Sequence, residues 1–85
     1  MNKIGEVVKI VNVDYTYRWH EEWFYENNEF IISANFDYGN EPPTEDTYII
    51  VARHGHSDEA NLIYALQNKS TGKIYLMDEY GFIKS

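Results

Sequence analysis

A small all-β domain is the fold class this sequence predicts: an antiparallel SH3-like or OB-like barrel or a strongly bent sheet of five to six strands, with room for one short helix at most. Three observations carry that expectation. β-Branched and aromatic residues recur in short runs, at Glu6–Val13, Thr47–Arg53 and Lys73–Met77. Phe30, Ile32, Ala34 and Phe36 alternate with Ile31, Ser33, Asn35 and Asp37, the period of a strand with one core face. Turn chemistry separates the runs, most clearly at Asn68-Lys69-Ser70-Thr71-Gly72.

Taken in order, Gly5 marks entry to a first strand, and apolar side chains on both parities of Glu6–Val13 suit a strand in the middle of a barrel or sandwich. Trp23-Phe24-Tyr25 followed by Glu26-Asn27-Asn28-Glu29 reads as a strand entering a hairpin, because Asn tolerates left-handed backbone. The strand over Phe30–Asp37 follows. Asn40-Glu41-Pro42-Pro43-Thr44-Glu45-Asp46 holds both prolines of the chain and reads as a polar surface loop before the strand Thr47–Arg53. Residues 58–67 fit two patterns: Ser57-Asp58-Glu59 can cap a helix carrying Leu62, Ile63 and Leu66, while Leu62, Tyr64 and Leu66 alternate as a strand. The downstream turn favours the strand, since a hairpin into Lys73–Met77 is the simplest connection. Gly81 then turns the chain into a short strand at Phe82-Ile83.

There is no internal repeat or linker, so residues 1–85 form a single domain. A chain of 85 residues buries only about 60–65% of its unfolded surface, which leaves a thin margin for carving a catalytic cleft. The absence of cysteine removes disulfides and cysteine-ligated zinc, and suits a reducing compartment. No apolar run reaches the roughly 20 residues of a membrane span, and Met1–Gly5 lacks an apolar leader, so the expected location is the cytoplasm of a bacterial cell, with no membrane partner.

Charge narrows the partner. Seven Lys and Arg against fourteen Asp and Glu give −7, which disfavours direct nucleic-acid binding and favours a basic partner. Between Arg18 and Arg53 there is no Lys or Arg, while eight acids fall there: Glu21, Glu22, Glu26, Glu29, Asp37, Glu41, Glu45 and Asp46. Nine of the fourteen aromatic residues lie between Tyr15 and Tyr38. Phe24, Phe30 and Phe36 read as core, but two tryptophans and four tyrosines in the same span exceed what so small a core readily buries. Trp and Tyr are also the residues enriched at binding hot spots. The predicted partner-binding set is therefore Trp19, Glu21, Glu22, Trp23, Tyr25, Glu26, Glu41, Glu45 and Asp46. Aromatics that stack single-stranded bases sit in basic grooves, and these are flanked by carboxylates.

Ile4-Gly5-Glu6-Val7-Val8-Lys9-Ile10-Val11, Tyr48-Ile49-Ile50-Val51 and Gly72-Lys73-Ile74-Tyr75-Leu76 before a closing glycine turn resemble small SH3-like barrel proteins of phages and mobile elements of Gram-positive bacteria. The resemblance covers about half the chain, implies a phage or mobile-element accessory protein and carries over no functional residue. The Trp-rich acidic stretch between the first strands departs from it.

Other chemistry is weaker. His54-Gly55-His56 would put two imidazoles on one strand face, with His20 a third candidate, but the fragment completes no zinc signature. Exposed histidines at a strand end are the simpler account. Glu21-Glu22 and Glu45-Asp46 would need a cleft that shifts one pKa before serving acid–base chemistry, and adjacent acids on a polar stretch are usually a solvated face. Nucleophile elbow, phosphate loop and dinucleotide fingerprint are all missing. The expected function is thus non-enzymatic, with no cofactor: an acidic nucleic-acid mimic occluding a basic surface of a host defence protein, as an anti-CRISPR protein does. The alternatives are an immunity protein for a nuclease toxin and a small metal- or ligand-binding enzyme using His54 and His56. Surplus aromatics and edge strands also allow a homodimer.

Overall fold

The computed structural model describes residues 2–17, 36–37, 40–55 and 62–85. These residues form β1 (Val7–Ile10), β2 (Thr16–Tyr17), β3 (Thr47–Gly55), β4 (Leu62–Asn68), β5 (Ile74–Asp78) and β6 (Phe82–Lys84). Two single 3-10 turns, η1 (Val13–Tyr15) and η2 (Glu79–Gly81), interrupt the strands. The strands make one sheet in the order β2-β5-β4-β3-β1-β6, every strand pair antiparallel. The fold is all-β, as the alternation predicts.

The pairing explains how so short a chain wraps a core. β1 and β2 are one run of chain broken by η1, and β5 and β6 are one run broken by η2. β1 pairs with β6 (Lys9 opposite Ile83), whereas β2 pairs with β5 (Thr16 opposite Met77), so the two broken runs face each other on both sides of a corner. At that corner the Gly81 carbonyl accepts from the Val11 and Asn12 amides at 2.8 and 3.2 Å. Each turn is capped by a side chain that competes with the ladder: Asn12 Oδ1 accepts from the Asp14 amide, and Asp78 Oδ1 accepts from the Tyr80 amide. This is why β1 stops at Ile10 rather than running to Val13.

Turn chemistry acts where expected. Gly5 has φ +99° and its amide donates to the Ile50 carbonyl at 2.7 Å, setting the start of β1 against β3. Gly72 has φ +80° and closes the β4–β5 hairpin, with its amide on the Asn68 carbonyl at 2.8 Å. Residues 62–67 are strand, as the hairpin argument favours, and 58–61 lie outside the described residues.

The core has two parts. Val8, Ile10, Tyr48, Ile50, Tyr64, Leu66, Met77 and Phe82 fill one, and Ala52, Ile63, Ala65, Ile74 and Leu76 the other. A β-bulge at Val51 joins them: Ile50 lies opposite Leu66, but Ala52 lies opposite Ala65, so the extra residue moves the alternate positions of β3 from one face of the sheet to the other. All five residues of β5 are buried as a result, because its two faces each meet a core. Of the predicted strand Phe30–Asp37, Phe36 makes a parallel bridge to Ile74 and packs on the second core; residues 30–35 and Trp23–Tyr25 lie outside the described residues.

Candidate partner-binding surface

The acidic loop before β3 begins as seven polar and proline residues, and the sheet beneath it supplies the groups that hold it. Tyr48, fully buried on β3, donates its phenol to the Pro43 carbonyl at 2.6 Å, while Pro42 is itself buried. Asn68, at the end of β4 and 1% exposed, uses its whole amide: Nδ2 donates to Asp46 Oδ2 at 3.0 Å, and Oδ1 accepts from the Ser70 and Thr71 amides at 2.7 and 3.1 Å. One buried side chain thereby joins the loop to the β4–β5 turn. From β5, Tyr75 donates to Asp37 Oδ2 at 2.6 Å, and Asn40 Nδ2 reaches Asp37 Oδ1 at 3.0 Å. The rings of Tyr48 and Tyr75 are 6.0 Å apart, so both ends of the loop are pinned to one aromatic pair.

These pins sort the carboxylates by role. The Tyr75 hydrogen bond, aided by Asn40 and by Lys73 at 4.0 Å, holds the Asp37 carboxyl below its ordinary value of 3.8 against the opposing effect of burial. Burial pushes the Tyr48 phenol from 10.0 up to about 12, and burial followed by the Asp37 hydrogen bond pushes Tyr75 up as well. Both phenols therefore remain donors at neutral pH, Tyr75 to the charged Asp37 and Tyr48 to the Pro43 carbonyl. Asp46 is half-buried and occupied by Asn68. Glu41 and Glu45 are exposed, and the Lys9 ammonium reaches the Glu45 carbonyl at 3.5 Å.

Of the nine predicted partner-binding residues, the structure places Glu41, Glu45 and Asp46 together on this loop, the first two exposed and the third turned to the sheet. Trp19, Glu21, Glu22, Trp23, Tyr25 and Glu26 lie outside the described residues. His54 belongs to β3, opposite Ile63 in register, while His20 and His56 lie outside the described residues. Among the described residues no three His, Asp or Glu side chains cluster as metal ligands would, and no helix is long and apolar enough to cross a membrane.

Sequence reasoning passed over a second surface. Tyr15, at the end of η1, and Tyr80, in the middle of η2, are 42% and 59% exposed and in ring contact. Tyr80 stands far from the aromatic-rich span, and its one signal was the Asp78 and Gly81 around it, a cap and a close-packed glycine. No family model, curated protein or solved structure matches this chain.

Proposed function

We propose that this chain is a non-enzymatic binding protein that presents carboxylates to a basic, nucleic-acid-binding surface of another protein and occludes it. In this reading it serves a phage or mobile element as an inhibitor of a host defence protein, an anti-CRISPR protein being one example. The observation that carries the reading is the acidic loop: Glu41 and Glu45 are exposed on a segment fixed by the Tyr48, Tyr75 and Asn68 hydrogen bonds. A loop ordered before contact loses little entropy on binding, and fixed carboxylates steer a basic partner. The net charge of −7 adds a long-range attraction of the same sign.

The test uses the chain immobilised at low salt against a bacterial lysate, with stepwise salt elution. The captured protein should be basic, should be displaced by a single-stranded DNA oligonucleotide, and should lose its own nucleic-acid binding when the free chain is added. Recovery of neutral or acidic proteins alone, or capture unaffected by the oligonucleotide, overturns the reading.

A further inference from the structure

The corner where η1 and η2 meet carries an observation that the acidic loop does not use. Tyr15 and Tyr80 lie 6.1 Å apart with their planes inclined at 52°. Rings tilted this way are not stacked face to face, and both stay substantially exposed, 42% for Tyr15 and 59% for Tyr80. Val11, 55% exposed, lies beside the Gly81 contact that joins the turns. Two exposed tyrosine rings side by side form an aromatic patch, and hydrogen bonds fix the two turns that carry them. Asn12 and Asp78 cap the two turns, the Gly81 carbonyl binds both Val11 and Asn12, and the Gly81 α-carbon packs so closely on Met77 that a β-carbon would fall 2.6 Å from its sulfur. Each tyrosine has an acid as its chain neighbour, Asp14 before Tyr15 and Glu79 before Tyr80, and neither acid is in an ion pair among the described residues.

We infer that this tyrosine corner is a docking surface for a cationic side chain, an arginine in first place, presented by a protein partner. A guanidinium stacks on a phenol face through the ring quadrupole, and the acids of the two turns, the exposed Asp14 and the half-buried Glu79, give the corner a negative charge that favours a cation. An acidic or neutral peptide would meet uncompensated carboxylates, and a second copy of this chain would bring Asp14 and Glu79 against their own kind. The surface lies at the Asp78 end of β5, and the acidic loop is held at the Ile74 end.

The test titrates the isotope-labelled full chain with a capped Gly-Arg-Gly-Arg-Gly peptide and with its citrulline counterpart, following backbone amides by NMR. The arginine peptide should shift Asn12–Tyr15 and Asp78–Phe82, and the citrulline peptide should not. Tyr80→Leu keeps an apolar side chain and removes the ring, and it should weaken the response by about threefold or more. Tyr15→Leu should do the same, and Glu41→Lys with Glu45→Lys should leave the corner response in place. A thermal melt matching the wild type shows that each variant is folded, as expected for side chains so exposed. Shifts confined to residues 40–46, an equal response to citrulline, or an unchanged response in both leucine variants overturns the proposal. Corner shifts that grow with protein concentration in the absence of peptide also overturn it, in favour of self-association.

Discussion

The two ends of β5 treat the same residue types in opposite ways. At the Ile74 end, Tyr48 and Tyr75 are buried and Glu41 and Glu45 are exposed; at the Asp78 end Asp78 is 4% exposed and Tyr15 and Tyr80 are the exposed residues. Hydrogen-bond supply accounts for where Tyr48, Tyr75 and Asp78 are buried, whereas Tyr64, opposite Met77, is held in the core by packing with its hydroxyl unpartnered among the described residues. A buried tyrosine favours an acceptor, and the loop end provides the Pro43 carbonyl and Asp37. A buried aspartate needs donors, and the corner provides the Tyr80 amide at 2.9 Å and the Tyr17 phenol at 3.3 Å.

Removing one pin from each end should break the comparison one half at a time. Asn68→Ala has the largest expected effect, about 3 kcal/mol of lost stability, because three hydrogen bonds of about 1 kcal/mol each disappear from a site that is 1% exposed. Denaturant melts give the total, and hydrogen exchange should show faster opening at residues 40–46 and 69–72 than at the corner. Uniform acceleration would mean the loop is not a separate unit. Gly81→Ala should cost about 2 kcal/mol, since the new methyl meets Met77 Sδ at 2.6 Å and the Asn12 carbonyl at 3.0 Å. Its exchange pattern should be the reverse, concentrated on residues 11–17 and 78–84. A neutral result would show that Met77 swings aside.

How much of this was legible in sequence follows the same division. Strands β3, β4 and β5 were readable because β-branched runs, alternation and a glycine turn leave a local record, and of the helix alternative for 58–67 the described part, 62–67, is strand. The bulge at Val51 was not, because it carries no glycine and a single extra β-branched residue looks like more strand. The two 3-10 turns were invisible for a related reason: three residues have no period, and their caps, Asn12 and Asp78, look like ordinary polar positions until partners are known. Among candidate site residues, charge density picked out Glu41, Glu45 and Asp46 alike. It could not separate the exposed pair from Asp46, whose role is fixed by Asn68 more than twenty residues away.

Titration sharpens the loop half without removing bulk. Asp37 has a folded pKa below the ordinary 3.8, so it stabilises the fold above that pH, and this contribution fades as pH falls below 3.8 through the folded value. Tyr75→Phe should cost about 1.5 kcal/mol at pH 7 and flatten the acid limb of the stability curve, because the Tyr75 bond is the main cause of the shift. Tyr48 behaves in mirror image: its folded pKa is raised from 10.0 to about 12, so its contribution is complete below pH 10 and lost as pH climbs toward 12. Tyr48→Phe should flatten the alkaline limb and leave the acid limb unchanged. Identical curves for wild type and both variants would detach the loop from these phenols.

The smallest expected effect on stability belongs to the side chains proposed to matter most for the partner. Glu41→Lys with Glu45→Lys changes two exposed groups, so the melt should move by no more than about 0.5 kcal/mol, and the Asn68 and Tyr48 pins should stay intact. Against a captured basic protein the same variant should associate about tenfold more slowly at low salt, with dissociation nearly unchanged, because exposed charges act through the encounter field. The difference from wild type should shrink as salt rises, since a Debye length of about 8 Å at physiological ionic strength already screens much of the field. Tyr80→Leu should show the other signature if the corner meets the same protein: little change in association, faster dissociation and weak salt dependence, because a ring contact forms only after docking. If the charge reversals instead speed dissociation and spare association, then Glu41 and Glu45 make close contacts, and the acidic loop is an interface core and not a steering rim.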